Sequence, residues 1–395
     1  MAGIAFRCES SYGIKAILRF KSVKRLDRFK HTRLRSPPMK TVLVSLAAVL
    51  LAVVVGIVLF LRVMARPLYE PGMVARGEGL RGSLTPPSQS GAQTWWEVES
   101  DIRLYHFSEG QGENVLIVHG GPGYPIRATW AGLKPLAANY KFNYYDQRGC
   151  GKSTRPIDRF SSPNFYSNMK TLDRTLGLGA QIADIERIRQ ILGEEKLVLI
   201  GHSFGGFLVS LYAAEFPQRV RALILVAPAT LLVMPSEESD LFDQVGDLLP
   251  AAMKNDYADF RKRYFDFGHL YTKSEADLAA LNREFSKYYV AALRARNLTL
   301  PAVSEGNENG GWMVYAMYMS MGKRHDYRPA MSRVTAPVLV VHGALDLQTE
   351  KADRLYGSSF PNSSLALVQG AGHFMYDEQP EAFSQIVERF LNAHR

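Results

Sequence analysis

The feature that most constrains this chain is a repeated alternation of short apolar runs with helix-like segments. Residues 176–193 place Ile182, Ile185 and Ile188 on one stripe, as in an amphipathic helix. Strands that alternate with helices predict a mostly parallel sheet flanked by helices, so the expected fold class is α/β. Five runs have the β-branched, aliphatic composition of buried strands: ENVLIVHGG (113–121), YKFNYYDQRG (140–149), EKLVLIGHS (195–203), VRALILVAPA (220–229) and APVLVVHGALD (336–346).

The alternation is interrupted late in the chain. From about residue 230 to 330 the strand pattern disappears, and charged, aromatic segments with helical spacing replace it. We therefore expect a helical insertion over 230–330 that divides an α/β core into two parts, 95–229 and 331–395. Residues 63–94 precede this core and include GEGLRGSLTPPSQSGAQT, whose Gly, Pro, Ser and Thr content predicts a linker.

A membrane anchor is predicted by the run TVLVSLAAVLLAVVVGIVLFL, residues 41–61, which contains no charged residue. As a helix it would span about 31 Å, close to the hydrocarbon thickness of a bilayer. A cleaved signal peptide is the alternative, but the run exceeds the usual length of such a region, and RVMARP is a poor cleavage site. We expect an uncleaved transmembrane helix over 41–62, with the lipid bilayer as a partner.

The distribution of charge predicts the orientation of that helix. Residues 1–40 contain 11 Lys and Arg against two acidic residues, while the remaining 355 residues contain 36 of each sign. The positive-inside rule predicts that 1–40 form a basic cytoplasmic tail and that residues 63–395 lie on the opposite, extracytoplasmic side. The neutral remainder has no basic patch typical of nucleic-acid binding, so no nucleic-acid partner is expected.

The segment VLIGHSFGGFLVSLYAA, residues 198–214, carries the strongest chemical signal. Gly201-His202-Ser203-Phe204-Gly205 matches the G-x-S-x-G nucleophile elbow, and it follows a predicted strand and opens a predicted helix. Side chains in place of the two glycines would collide with neighbouring backbone. The turn would strain the backbone at Ser203, present its hydroxyl above the sheet, and leave the Phe204 N–H to hold an oxyanion.

A serine hydroxyl needs a base, and the base needs a carboxylate that orients it. Both follow in the chain order Ser, acid, His: Asp346 ends VLVVHGALD, and His373 lies in LALVQGAGHF after another apolar run. Because the carboxyl ends of parallel strands meet at one edge of a sheet, we expect these side chains to lie together. Asp353 and Asp377 are weaker candidates for the acid. A helix cap at Asp346 and an ordinary loop histidine are the structural alternatives.

The glycine-rich IVHGGPGYP, residues 117–125, follows an early strand. Loops of this kind lend a second backbone N–H to the oxyanion, which we assign to Gly121 with Gly120 as the alternative. Gly-Pro-Gly is also ordinary turn chemistry.

A further stretch, DQRGCGKS (146–153), ends like a phosphate-binding loop. Asp146 stands where such a loop requires its first glycine, so phosphate binding is not expected. The stretch instead predicts a turn that ends a strand, in which Asp146 and Arg148 are structural hydrogen-bonding groups and Cys150 is inert.

Together these motifs resemble a known family. Residues 95–395 look like an α/β-hydrolase, and HGGPG (119–123) and DQRGCGKS resemble the proline iminopeptidases within that superfamily. The resemblance implies an α/β-hydrolase fold with a helical cap, and removal of N-terminal residues from peptides. It implies a small peptide or ester substrate and neither a metal nor a cofactor. The site residues that it implies are a Ser203–His373–Asp346 triad with Gly121 and Phe204 as oxyanion donors.

Departures from that family bear on the substrate. Proline iminopeptidases generally have Trp or Tyr after the elbow serine, and a W-x-x-W-E pattern whose glutamate binds the substrate ammonium. Here GGWMVYAMYMSMG (310–322) has Trp312, but Tyr315-Ala316 stand in place of Trp-Glu. Glu305 and Glu308 are the candidate substitutes, with Trp312 as a further substrate contact, although a solvated loop is the plainer interpretation. An ammonium buried without a carboxylate is strongly unfavourable.

Three methionines in this segment, Met313, Met317 and Met321, would form one apolar stripe on a helix, either as core or as the lining of an acyl site. The favoured function is that of a membrane-anchored serine hydrolase with an acyl-enzyme intermediate, an aminopeptidase of the proline-iminopeptidase type. A carboxylesterase or lipase acting on small or lipidic acyl esters is the alternative. An inactive hydrolase fold that serves as a binding module is the third hypothesis.

Overall fold

The computed structural model describes residues 39–64, 67–91, 94–298 and 308–394. The strands are β1 Trp95–Glu99, β2 Ile102–Gly110, β3 Glu113–Val118, β4 Tyr140–Tyr145, β5 Leu197–His202, β6 Val220–Val226, β7 Val233–Met234, β8 His325–Asp326, β9 Val338–Gly343 and β10 Ser363–Val368. The helices are α1 Met39–Met64, α2 Phe165–Leu176, α3 Leu178–Ile191, α4 Phe204–Glu215, α5 Leu241–Leu248, α6 Ala251–Tyr264, α7 Glu275–Ala295, α8 Trp312–Met321, α9 Arg328–Met331, α10 Glu350–Ser359, α11 Met375–Glu378 and α12 Pro380–Ala393.

Within the described residues, eight strands form one sheet in the order β1-β2-β4-β3-β5-β6-β9-β10. β2 is antiparallel to β1 and β4, and the other neighbouring strands are parallel. The predicted α/β fold class with a mostly parallel sheet is confirmed. The register places Val118 opposite Gly201 and Val226 opposite Val341, so the segments that follow β3, β5 and β9 leave the sheet at the same edge.

Continuous apolar runs explain why the central strands are buried on both faces. β5, β6 and β9 are buried along almost their whole length, as expected of parallel strands covered by helices on each side. Leu199 of β5 packs into the core on one face, while Val198 and Ile200 pack into the core on the other. α4 is buried at every position, which suits a helix that is apolar all round.

A helical insertion interrupts the sheet between β6 and β9, in the region where the strand pattern stops. It contains α5 to α8 and a short antiparallel ribbon of β7 with β8. Its interior is aromatic, with the Phe260 ring 5.3 Å from Tyr264 and 5.1 Å from Tyr288 between centroids. α7 begins with a capping box in which Ser274 and Asp277 bond reciprocally. We call the described residues between 230 and 330 the cap.

The N-terminal helix α1 covers the predicted membrane anchor. Its portion Met39–Val58 is long and apolar enough to cross a membrane. Leu43 and Leu50 are more than half exposed, as side chains that face lipid would be. The placement of this helix in a membrane and its orientation remain predictions.

The linker prediction for residues 63–94 needs correction, because residues 67–91, which we call the strap, are packed against the α/β core. Tyr69, Val74 and Leu80 are buried in the same apolar cluster as α3 and α4 residues. The strap has few apolar side chains, and its high Gly, Pro and Ser content led to the prediction of a linker. Burial depends on the surface that receives a segment, and composition alone does not reveal that surface.

Hydrogen bonds fasten the strap at several places, and two of them lie near its beginning. The N–H groups of Leu68 and Tyr69 donate to the carbonyl of Ser320 in α8, at 2.8 and 3.0 Å. The Glu215 carboxylate, at the end of α4, accepts from the Tyr69 hydroxyl at 2.9 Å and from the N–H groups of Gly72 and Ala75 at 2.7 and 2.9 Å. The strap is therefore bonded both to the cap and to the helix that follows Ser203.

We expect Glu215→Ala to lower the free energy of unfolding by about 2–4 kcal/mol, because it leaves these donors without their charged acceptor. Urea titration of the detergent-solubilised protein, followed by near-ultraviolet circular dichroism, measures the change. Glu237→Ala is the matched control, since the Glu237 side chain is 93% exposed. Equal stability of the two variants would contradict the role given to Glu215.

Candidate active site

Ser203 lies in the turn between β5 and α4, with φ 54° and ψ −120°. Residues other than glycine rarely adopt this region, and the predicted elbow requires such strain. The Ser203 N–H donates to Val226 O at 2.9 Å. A Cβ on Gly201 would lie 2.5 Å from the Gly205 carbonyl oxygen, and one on Gly205 would collide with the Val118 carbonyl oxygen. Glycine is therefore needed on both sides of the serine.

His373 and Asp346 are paired at the same edge of the sheet. His373 Nδ1 lies 2.7 Å from Asp346 Oδ2, and both side chains are buried. The other Asp346 oxygen accepts the Gln348 N–H at 2.9 Å, so the carboxylate is held on both sides. With Nδ1 committed to Asp346, Nε2 is the imidazole nitrogen left to act as a base. Gln348 was not identified from sequence, although its position two residues after the acid was the available signal.

His373 contacts His202, the last residue of β5, which directly precedes Ser203. His202 Nε2 lies 3.0 Å from the His373 carbonyl oxygen, and the two imidazole rings are 4.6 Å apart between centroids. Among the described residues, neither the Ser203 hydroxyl nor His373 Nε2 has a hydrogen-bond partner. A serine–imidazole hydrogen bond is often long without substrate and tightens in the complex.

The two neighbouring imidazoles have opposite pKa shifts. Burial acts to lower the pKa of His373, but the charge of Asp346 and its hydrogen bond raise it, and the net shift is upward. Burial lowers the pKa of His202 well below its usual value, and the charge of His373 lowers it further. His202 therefore stays neutral near pH 7 and donates its Nε2–H to the His373 carbonyl.

Geometry separates Asp346 from the two weaker candidates for the acid. Asp353 is fully buried against His342, with 2.7 Å between Oδ2 and Nδ1. Burial raises the pKa of Asp353 to about 7, although His342 acts in the opposite direction. Asp377 accepts the Ala131 N–H at 3.0 Å. Neither carboxylate is hydrogen-bonded to His373.

Residues 119–124, the glycine-rich loop, pass directly beside the serine. A Cβ on Gly120 would lie 2.8 Å from Ser203 Cβ, so this approach requires glycine. His119 Nε2 accepts the Gln147 N–H at 3.1 Å, and its Nδ1 lies 3.0 Å from the Gly120 carbonyl oxygen, to which it donates. Burial lowers the pKa of His119 to about 4, so the ring is neutral. Since C=O and N–H point oppositely in a trans peptide, this bond also orients the Gly121 N–H.

The predicted oxyanion donors remain predictions after this placement. Gly121 has φ +117°, and its N–H shares the peptide plane that His119 orients. Phe204 begins α4, and its N–H has no acceptor among the described residues. Both are backbone donors beside Ser203, as an oxyanion site requires.

The stretch DQRGCGKS forms the predicted turn after β4. Asp146 accepts two hydrogen bonds from Arg127 at 3.0 and 3.1 Å. Arg148 is fully buried and donates to both oxygens of Asp184 at 2.5 Å each. Burial raises the pKa of the Cys150 thiol well above its usual value, which makes it a poor nucleophile.

Two of the three candidate substrate residues have other partners in the structure. The Glu308 carboxylate is ion-paired with Arg127. Trp312 is fully buried, its indole N–H donates to Asp158 O at 2.9 Å, and its ring packs against neighbouring aromatic rings. Glu305 lies outside the described residues. The placement of Glu308 and Trp312 argues against substrate contacts for both.

A cap carboxylate that the sequence did not single out, Glu275, is also engaged. It accepts the N–H groups of Gly311 and Trp312 at 3.0 and 2.6 Å and is bonded to Arg155 at 2.7 Å. Burial raises its pKa, while these donors act in the opposite direction. Glu275 therefore stabilises the start of α8 and has no spare oxygen for a ligand.

The methionine stripe packs into the core. Met313, Met317 and Met321 lie on α8 as expected, are at most 4% exposed, and belong to the core cluster. Tyr289 of α7 in the cap lies near the site, with its ring 6.5 Å from that of His373 between centroids.

Comparison with known proteins identifies the family. A sequence profile described as the alpha/beta hydrolase fold matches residues 113–380, a span that includes Ser203, Asp346 and His373. The chain belongs to the α/β-hydrolase family. The predicted resemblance to that superfamily is thereby confirmed, and a hydrolase is the supported enzyme class.

This α/β-hydrolase is 28% identical over 301 residues to the proline iminopeptidase of Heyndrickxia coagulans, covering 74% of this chain and 95% of that one. It is 25% identical over 311 residues to the (lyso)-N-acylphosphatidylethanolamine lipase of Mus musculus, covering 71% and 79%. The crystal structure of VinJ matches with a TM-score of 0.51 and 17% identity, covering 78% of this chain and 100% of that one, which shows the fold alone. The relatives thus include both a peptidase and a lipase.

Proposed function

We propose that this chain is a membrane-anchored serine hydrolase that forms an acyl-enzyme intermediate on Ser203. The observation that carries the proposal is the strained Ser203 turn at the sheet edge where His373 and Asp346 pair at 2.7 Å. Membership of the α/β-hydrolase family supports it. α1 would hold the enzyme in the bilayer, with residues 1–40 on the cytoplasmic side.

In the proposed mechanism, Ser203 Oγ attacks the substrate carbonyl while His373 Nε2 takes its proton. Asp346 keeps the imidazole in the tautomer with hydrogen on Nδ1 and stabilises the imidazolium that forms. The N–H groups of Gly121 and Phe204 hold the oxyanion, and the amino end of α4 adds a favourable dipole. His373 returns the proton to the leaving group, and water then releases the acyl group by the reverse sequence.

The geometry supports a carboxylic ester as the substrate. A substrate with a free amino group needs a carboxylate partner when it is buried. The Glu275 and Glu308 carboxylates in the cap are bonded to Arg155 and Arg127 respectively. The cap places the aromatic ring of Tyr289 near His373. An ester substrate has no ammonium group, so it needs no carboxylate partner in the cap.

An aminopeptidase of the proline-iminopeptidase type is the second candidate. The relative from Heyndrickxia coagulans carries that name, and it is matched over 95% of its length. Such an activity would require an acid outside those already engaged. Glu305, outside the described residues, is the candidate from the sequence.

A paired assay distinguishes these substrates. The detergent-solubilised protein is tested on p-nitrophenyl butyrate and on prolyl and alanyl p-nitroanilides, with Ser203→Ala as the blank. We expect Ser203-dependent ester turnover without anilide turnover. Anilide turnover that requires a free amino group and is lost in Glu305→Gln would establish the aminopeptidase instead. The absence of any Ser203-dependent turnover and of fluorophosphonate labelling would contradict the proposed enzyme.

The acid limb of the pH profile should reflect His373. The base must be neutral to accept a proton, and the pKa of His373 is raised above its usual 6.5. We therefore expect kcat/KM for the ester to rise with pH through a single ionisation centred above pH 6.5 and then to level. Measurement between pH 5 and 9 at constant ionic strength tests this. A limb centred below pH 6 would contradict the assignment.

A further inference from the structure

A buried amide in the cap holds the glycine-rich loop. Asn282 of α7 is 2% exposed, and its Nδ2 donates to Pro122 O at 3.2 Å and to Gly310 O at 3.1 Å. Its backbone carbonyl accepts the Tyr124 hydroxyl, and its Oδ1 accepts the Tyr264 hydroxyl at 3.3 Å. The two amide hydrogens, the side-chain oxygen and the backbone carbonyl of Asn282 are therefore all hydrogen-bonded. A fully satisfied buried amide of this kind fixes the segments that it joins.

The same contact region contains a second connection between loop and cap. The Gly310 N–H donates to Gly123 O at 2.9 Å, and the Ser286 hydroxyl lies 3.2 Å from the Tyr124 hydroxyl. Asn282, Ser286 and Tyr289 follow at i, i+4 and i+7, so one face of α7 spans from the loop to His373. The cap is thus bonded to the loop two to four residues after Gly120, the residue that passes Ser203.

Apart from the His119 bond to Gly120 O and the bonds to the cap, the loop has few side chains that define its path. Gly120, Gly121 and Gly123 have no side chains, and Gly121 and Gly123 have φ +117° and +78°. Glycine backbone is the most conformationally permissive, so external hydrogen bonds must hold this segment. Pro122 O belongs to the residue that follows Gly121, and Asn282 holds it. A displacement of about 1 Å in an oxyanion donor is enough to lower a rate by about 100-fold.

We propose that Asn282 is a positioning residue that holds the Gly121 N–H at oxyanion distance from Ser203. It acts through the glycine-rich loop and does not itself touch the reacting atoms. This inference rests on the proposed serine hydrolase activity, and it makes the cap a part of the catalytic apparatus as well as a cover. Because the oxyanion forms only in the transition state, Asn282 should affect kcat more than KM.

The test compares Asn282→Asp and Asn282→Ala with the unmodified full-length protein in detergent. Aspartate keeps the size of the side chain but removes both donors and sets an oxygen against Pro122 O. The assay measures kcat and KM for p-nitrophenyl butyrate and Ki for 1-butaneboronic acid, whose tetrahedral serine adduct places an oxygen in the oxyanion site. We expect kcat to fall about 10–100-fold, Ki to rise in proportion, and KM to stay within about threefold.

Two further variants complete the test. Tyr264→Phe removes the partner of Asn282 Oδ1 but leaves both amide donors, and it should change kcat and Ki by less than about threefold. Tyr124→Phe removes the bond to the Asn282 carbonyl with minimal change of shape, and it should lower kcat about 3–10-fold with a matching rise in Ki. Thermal unfolding shows which variants fold. If neither Asn282 variant folds, Tyr124→Phe decides.

Folded Asn282 variants with kcat and Ki within threefold of the unmodified protein would overturn the proposal. So would a loss of kcat with unchanged boronate binding, since the oxyanion donors would then still be in place. An unmodified protein without Ser203-dependent ester turnover would contradict the proposed function itself. The two failures are therefore distinct.

Discussion

Ser203→Ala is expected to lower kcat/KM for the ester by about 10⁴-fold or more, because the covalent route through an acyl-enzyme is lost. Substrate binding and the oxyanion donors remain, so a small residual rate over water should persist. The measurement is initial-rate hydrolysis of p-nitrophenyl butyrate together with fluorophosphonate labelling, which should disappear in the variant. The strained φ of 54° belongs to residue 203 and stays in place, so stability should change little.

Ser210→Ala provides the matched control for this change. Ser210 lies on α4, the helix that follows Ser203, is fully buried, and donates its hydroxyl to Gly206 O at 2.8 Å. Its removal should leave kcat/KM within about threefold, since the hydroxyl bonds only within the helix. Labelling at a serine other than 203, or equal losses in the two variants, would refute the assignment of the nucleophile.

The second large effect is expected for Asp346→Asn, which should lower kcat by about 10⁴-fold while the protein remains folded. An asparagine amide would donate to His373 Nδ1 and so place the imidazole hydrogen on Nε2, which faces the serine. A base that already carries this hydrogen cannot accept the serine proton. The pKa of His373 should fall as well, because burial lowers it and the charge that raises it is gone.

Asp353→Asn is the control for that substitution. Asp353 is also buried and also 2.7 Å from an imidazole nitrogen, but its partner is His342. Burial raises the pKa of Asp353 to about 7, so an amide resembles the protonated form that is already populated near neutrality. We expect less than a tenfold change in kcat. A larger loss in Asp353→Asn than in Asp346→Asn, measured by steady-state kinetics, would reverse the assignment of the acid.

The sequence was sufficient to predict the sheet and the order in which the candidate residues follow its strands. The central strands are continuous apolar runs, and such runs have one stable environment, a sheet covered on both faces. The Gly201 and Gly205 positions predicted the turn at Ser203 because only a close backbone approach requires glycine there. Asp346 and His373 followed from the rule that residues after parallel strands meet at one edge.

The contacts between distant segments could not be predicted in the same way. Asn282 lies between Leu281 and Arg283 on a helix, and nothing in these neighbours indicates that Pro122 lies opposite it. Glu308 was a candidate for substrate binding from the sequence, but it is ion-paired with Arg127, which lies 181 positions earlier in the chain. Trp312 matched a substrate-binding pattern, yet its ring packs against Phe160, which precedes α2, and against Tyr271 of the cap. Pairings of this kind depend on the folded structure and leave no local pattern.

The attachment of the strap also determines how the folded domain would respond to force. A pull on the chain at residue 67 first loads the bonds of Leu68 and Tyr69 to Ser320, and then those of Gly72 and Ala75 to Glu215. These attachments follow one another along the strap, so tension would break them one at a time, as in peeling. A domain pulled at residue 67 would therefore yield first at Ser320 and Glu215.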